Sequence, residues 1–191
     1  GGRGGGVGGE GAGGGGGGGG GLLGGRLRGV GARVGLRGLG EVAAGLLAGV
    51  PGAVGRLADA GERRLLGDCA AALAEVVGEP GDRLLHWDLH FGNVLAGVRE
   101  PWLAIDPKPL SGDPGFELLP TLVNGFRVGE VRWRFDLLTE VMGLDRERAR
   151  AWTLGRVVQN CLWELEEGEV ELPEREVAVA EVLLGRASGW A

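Results

Sequence analysis

From Arg56 to Val77 the apolar positions Leu57, Leu65, Leu66, Ala70, Leu73, Val76 and Val77 recur at helical spacing with charges between them, and the run closes at Gly78 and Pro80. This pattern predicts one amphipathic helix. The period then shortens: Leu84-Leu85, Val94-Leu95 and Trp102-Leu103-Ala104-Ile105 are brief apolar pieces separated by Gly or Pro, which predicts short strands. Asp113 before Pro114 supplies a cap and a first-turn proline for a helix through Phe116, Leu118, Leu119, Leu122 and Val123. Further helical patterns cover 131–142, 145–167 with Asp145 as the cap, and 174–184 opened by Pro173. Trp133, Trp152 and Trp163, with Leu154, Val158, Leu162 and Leu165, read as core at helical spacing. Short strands among at least five helices predict an α-rich α+β domain.

Composition changes the picture at the N-terminus. Of 43 glycines, 24 lie in the first 40 residues, where no aromatic residue occurs. Such a segment buries too little apolar surface to offset its ordering entropy, so 1–40 reads as a disordered, low-complexity tail and 41–191 as the folded domain. That domain is long enough to bury roughly two-thirds of its extended surface. The net charge is −6, and the tail holds Arg3, Arg26, Arg28, Arg33 and Arg37 against Glu10, so the domain itself is strongly acidic. An acidic body suits a small cationic ligand and argues against nucleic acid. Cys69 and Cys161 make neither a disulfide framework nor a metal motif. With no apolar run of membrane-spanning length and no signal-like stretch, the expectation is a soluble cytoplasmic protein without a membrane partner.

The chemistry concentrates in His86-Trp87-Asp88-Leu89-His90-Phe91-Gly92-Asn93 and Ile105-Asp106-Pro107-Lys108. Phosphoryl transfer to a hydroxyl needs a carboxylate to orient the nucleophile and take its proton, and oxygen ligands to hold Mg²⁺ against the phosphates. Asp88, Asn93 and Asp106 are of the right kind. The five-residue step from Asp88 to Asn93 matches the kinase catalytic loop H-R-D-x-x-x-x-N, and Asp106 ends an apolar strand, where the metal-binding Asp of D-F-G would stand.

The runs LLHWDLHFGNVLAG and PWLAIDPKPLSGDPGFELLP, with LDRERARAWTLGRVVQNCLWELEEG downstream, resemble the aminoglycoside/hydroxyurea resistance kinases, whose best-known members are streptomycin 6-phosphotransferases. The likeness covers about 57–189 and implies the mainly helical C-terminal lobe of a protein-kinase-like fold. It implies Asp88 as catalytic base, Asn93 and Asp106 as Mg²⁺ and nucleotide ligands, ATP as donor, and a streptomycin-like aminoglycoside as acceptor in antibiotic resistance.

Other readings stand beside these. Asp88-Leu89-His90 with Gly92-Asn93 faintly suggests a metallophosphoesterase, but two histidines are too few for a dinuclear centre. His86 and His90 suit hydrogen bonding within the loop, Asp113 suits a helix cap, and Glu117 suits an anchor for backbone N–H groups. Lys108 reads as a solvated lysine or as one that reaches a phosphate. Glu164, Glu166 and Glu167 read as a solvated helix face, or, for Glu164 and Glu167, as carboxylates binding the cationic acceptor.

Two departures matter. A kinase of this type also needs an N-terminal lobe with a nucleotide-covering loop and a strand lysine paired to a helix glutamate, whereas the single lysine here is Lys108 and the glycine tail has no flanking strand. The expectation is therefore a truncated phosphotransferase, inactive as this chain alone; the rival is a non-catalytic fragment or binding module. Trp87 stands where the family usually has glycine, which suggests a backbone conformation that suits no side chain, or an indole accommodated in a neighbouring gap.

Overall fold

A computed structural model of the chain describes residues 35–186. The disorder expected for 1–34 and the family likeness at 187–189 lie outside these residues. Folded structure starts earlier than the glycine content suggests, because helix α1 spans Leu39–Arg56. Leu39, Val42, Ala43, Leu46, Val50 and Ala53 form its buried stripe. The expected single helix over 56–77 is instead the end of α1 and a second helix, α2 (Ala60–Val76). The chain breaks there because Asp59 caps α2, its side chain accepting from Glu62 N at 2.8 Å. Arg63 donates to the carbonyls of Leu57 and Ala58, so the break leaves few backbone groups unsatisfied.

Four short strands follow: β1 (Arg83–Leu85), β2 (Val94–Ala96), β3 (Trp102–Ala104) and β4 (Leu110–Gly112). β2 and β3 pair antiparallel with Val94 opposite Ala104, and β1 pairs antiparallel with β4 with Leu85 opposite Leu110. The pattern foretold the first three. β4, at Leu-Ser-Gly, is too short and polar to register as a period-two run, and its partner is supplied from 25 residues or more away.

Asp113 then caps a 3₁₀ turn (Pro114–Glu117), accepting from Gly115 N at 2.8 Å, and that turn leads into helix α3 (Leu118–Val123). Helix α4 covers Val131–Met142, α5 covers Arg146–Glu167 under the cap of Asp145, and α6 covers Glu174–Leu183. The molecule is a mainly helical α+β fold, as expected, with α5 at its centre: 151–159 are buried without interruption. Trp152 on α5 meets Phe116 edge-on, ring centroids 6.3 Å apart. The three tryptophans do not share one fate. Trp152 is fully buried, but Trp133 and Trp163 are 59% and 45% exposed, because α4 and the last turns of α5 each keep one face towards solvent.

The segment 35–40 belongs to the fold. Arg37 O accepts from Ser111 N at 2.9 Å, Gly38 bridges to Ser111, and Leu39 is fully buried. Leu39 packs so closely on Gly112 that a Cβ there would meet its side chain at 2.4 Å. Deleting 1–40 is therefore expected to lower the melting temperature by several degrees, the loss of a buried leucine costing about 2–5 kcal/mol. A deletion of 1–34, which keeps these contacts, is the comparison in the same thermal scan.

Candidate active site

The loop 86–93 is built around a buried glutamate. Glu117, 5% exposed at the end of the 3₁₀ turn, accepts the backbone N–H groups of both His86 and Trp87 through Oε1. This is the anchoring role its position suggested. Burial pushes its carboxyl up to about 7, against the pull of those two N–H groups and of Arg156.

His86 ties the loop to the segment after β3 that carries Asp106. Its Nε2 lies 2.9 Å from Ile105 O, and its carbonyl accepts from Lys108 N at 3.0 Å. Both histidines serve the loop: His90 Nδ1 accepts from Gly92 N at 3.1 Å and so caps the 3₁₀ turn Phe91–Asn93.

Trp87 adopts φ 64°, the left-handed region in which a β-carbon is costly and glycine is not. Both expectations for this residue meet here. The backbone has the conformation that favours glycine, and the indole fills a gap. Its Nε1 donates to Gln159 Oε1 at 3.1 Å, and Arg37 lies over the ring at 5.9 Å. Trp87→Gly relieves about 1–2 kcal/mol of strain but leaves the buried Gln159 amide unpaired and removes the indole's packing. A net loss of about 1–2 kcal/mol in urea denaturation is expected, smaller than the ~3–5 kcal/mol for deleting a fully buried Trp.

Asp88 comes directly after this turn and is partly exposed. Its Oδ2 accepts from Lys108 Nζ at 2.7 Å, while His90 Nε2 lies 4.0 Å from its Oδ1. The Lys108 hydrogen bond is the main reason its carboxyl sits below the usual carboxylate range. Lys108 is thus not simply solvated. Asn93 Nδ2 donates to Asp88 O at 2.8 Å, which fixes the amide. Ile105 N donates to Asn93 O at 2.9 Å, so Asp106 follows immediately beside Asn93. Asp106 is exposed and has φ 53°.

Asn93 and Asp106 fit the Mg²⁺ role that their residue types suggested. Two side-chain oxygens, one at the end of the 3₁₀ turn Phe91–Asn93 and one just past β3, would suit an ion that takes the rest of its shell from phosphates and water. Among the described residues there is no group of three or more His, Cys, Asp or Glu that could hold a metal ion.

Sequence reasoning missed Arg156. It lies on the buried face of α5, 5% exposed, and donates to Trp87 O at 2.7 Å. Its guanidinium lies over Phe116 at 5.5 Å and Trp163 at 5.8 Å. Burial pulls it down to about 10, opposed by Asp88, Glu117 and Glu176. The available signal was a charged residue inside the apolar run of 151–162. Trp87, Asp88, Lys108, Arg156 and Trp163 line a cavity of about 200 Å³. Glu164 and Glu167 are exposed on the last turns of α5 and do not line it. Larger hollows, of about 460 and 440 Å³, lie beside Asp59 and Trp133 and contain no residue of the loop.

The sequence that builds this site has counterparts among known proteins. Residues 39–168 match the family model of the aminoglycoside/hydroxyurea antibiotic resistance kinases. The chain belongs to that family. It is 88% identical over 162 residues to a hydroxyurea phosphotransferase of Kitasatospora aureofaciens, covering 85% of this chain and 48% of that protein. It is 58% identical to a streptomycin 6-kinase of Streptomyces glaucescens, with 84% of this chain and 55% of that protein covered. The streptomycin 6-kinase of Streptomyces griseus is 55% identical, over 83% and 54%. This resistance-kinase chain spans about half the length of the curated relatives it matches. No solved structure matches it significantly. No helix among the described residues of this family member is long and apolar enough to cross a membrane.

Proposed function

We propose that this chain carries the acceptor-activating and metal-holding part of an ATP-dependent phosphotransferase that acts on a hydroxyl group of a small molecule. The observation that carries the reading is the placement of Asp88. Its peptide is fixed by Glu117, Arg156 and Asn93 while its carboxylate opens on the cavity, with Asp106 following beside Asn93. Asp88 takes the proton of the acceptor hydroxyl through the oxygen not held by Lys108. Asn93 and Asp106 would hold Mg²⁺, which when bound neutralises charge on the phosphates of the donor. The rest of the donor site is supplied by the part of the relatives that this chain does not match.

The cavity favours a compact acceptor: about 200 Å³ suits a small molecule, and Lys108 and Arg156 beside Asp88 leave no excess of acidic side chains in its lining to draw in a cation. With the 88% identity to the hydroxyurea phosphotransferase, this makes hydroxyurea the leading acceptor. Streptomycin is the second reading, favoured by the two 6-kinases and by exposed Glu164 and Glu167, which would meet its cationic groups outside the cavity.

The test joins this chain to the unmatched part of the Kitasatospora relative and measures phosphorylation of each compound from MgATP, beside the chain alone. Turnover of hydroxyurea in the joined protein, with neither compound modified by the chain alone, is the expected result. Turnover of streptomycin only would favour the second reading. A joined protein that folds and binds MgATP but modifies neither compound refutes the acceptor assignment.

A further inference from the structure

The single lysine of the chain is held in place more firmly than its exposure suggests. Lys108 stands between Pro107 and Pro109, which restrict its backbone to an extended form. Its N–H donates to His86 O at 3.0 Å and its ammonium to Asp88 Oδ2 at 2.7 Å, so main chain and side chain both engage the loop that carries the base. The side chain is nevertheless 63% exposed. An ion pair this open to water adds little to stability. What it does is set a cation at the mouth of the cavity beside Asp88.

We propose that Lys108 is a catalytic residue that contacts the transferring phosphoryl group. This rests on the reading of Asp88 as the base. An acceptor hydroxyl on the free oxygen of Asp88 faces the incoming phosphorus, and a cation hydrogen-bonded to the other oxygen lies within reach of the phosphoryl oxygens. In the step, the acceptor's proton passes to Asp88 and a bond forms from the acceptor oxygen to the γ-phosphorus. The bond from that phosphorus to the bridging oxygen breaks, and the nucleoside diphosphate leaves with the electron pair. Lys108 keeps its protons throughout and offsets charge on the oxygens in flight. Pairing with Asp88 in the resting protein holds the ammonium in position, so little reorganisation is needed when the phosphates arrive.

Because the sequence has one lysine, the purified chain grown with lysine labelled by ¹³C at Cε gives one reporter resonance. It is titrated with inorganic tripolyphosphate, with sodium chloride at matched ionic strength as the control, in the wild type and in Asp88→Asn. The expected result is a saturable shift with tripolyphosphate and none with chloride. Half-saturation should fall by at least about fivefold in Asp88→Asn, since a negative charge beside the phosphate has gone. An unmoved lysine signal, an equal shift with chloride, or an unchanged midpoint in Asp88→Asn would each overturn the proposal. The readout needs no turnover, so failure of the phosphorylation assay would count against the acceptor reading and leave the result for Lys108 standing.

Discussion

Asp88→Asn in the joined, full-length protein is expected to lower kcat by about 10²- to 10⁴-fold, the usual cost of removing a positioned general base. The substitution preserves shape, and Asp88 is fixed through its peptide: Asn93 donates to its carbonyl, and Glu117 and Arg156 hold the residue before it. The circular dichroism spectrum and melting temperature should therefore change little. The asparagine can still accept from Lys108 through its carbonyl oxygen but cannot take a proton from the acceptor. The loss should appear in kcat, and the KM for MgATP should not rise, because removing the charge of Asp88 leaves phosphate binding no weaker. Turnover within about threefold of wild type would remove Asp88 from the mechanism.

Glu117 is expected to give the largest effect on stability. Glu117→Ala leaves the backbone N–H groups of His86 and Trp87 without their acceptor, which at about 1–3 kcal/mol each predicts a loss of about 2–6 kcal/mol. Glu117→Gln keeps the accepting oxygen and separates anchoring from ionisation. The wild-type carboxyl is raised from 4.5 to about 7, so between these values the folded chain holds a proton that the unfolded chain has lost. The stability this confers is fully present below about pH 4.5 and is lost as pH rises through about 7, a decline on the order of 3 kcal/mol. Urea denaturation from pH 5 to 8 should show that decline in the wild type, and Glu117→Gln should remove most of it. A Gln variant with the wild-type slope would mean that Glu117 is ionised throughout.

Short-range information in the sequence sufficed for the later helices and their caps. Asp113 and Asp145 stand where a side chain meets free N–H groups two or three residues on, an interaction that needs no distant partner. The spacing of Asp88, Asn93 and Asp106 was readable for a similar reason. One tight loop and one hairpin bring them together, so sequence distance nearly sets spatial distance. Glu117 could be named as an anchor because it follows a recognisable capped turn.

The tertiary structure alone decided the rest, wherever an element owes its state to something far along the chain. Leu39 looks like the end of a glycine tract, and only its burial against Gly112 makes it the start of a helix. β4 exists because β1 is there to pair with it. Trp133, Trp152 and Trp163 each fit a helical pattern, yet which of them is buried depends on where α4 and α5 run out of neighbours. Arg156 approaches the loop from a helix whose sequence distance from Trp87 is 69 residues, and no local pattern marks a buried cation as the partner of a left-handed peptide. Periodicity reports what a segment prefers by itself; burial and ion pairing depend on which surfaces meet, and chain folding sets that.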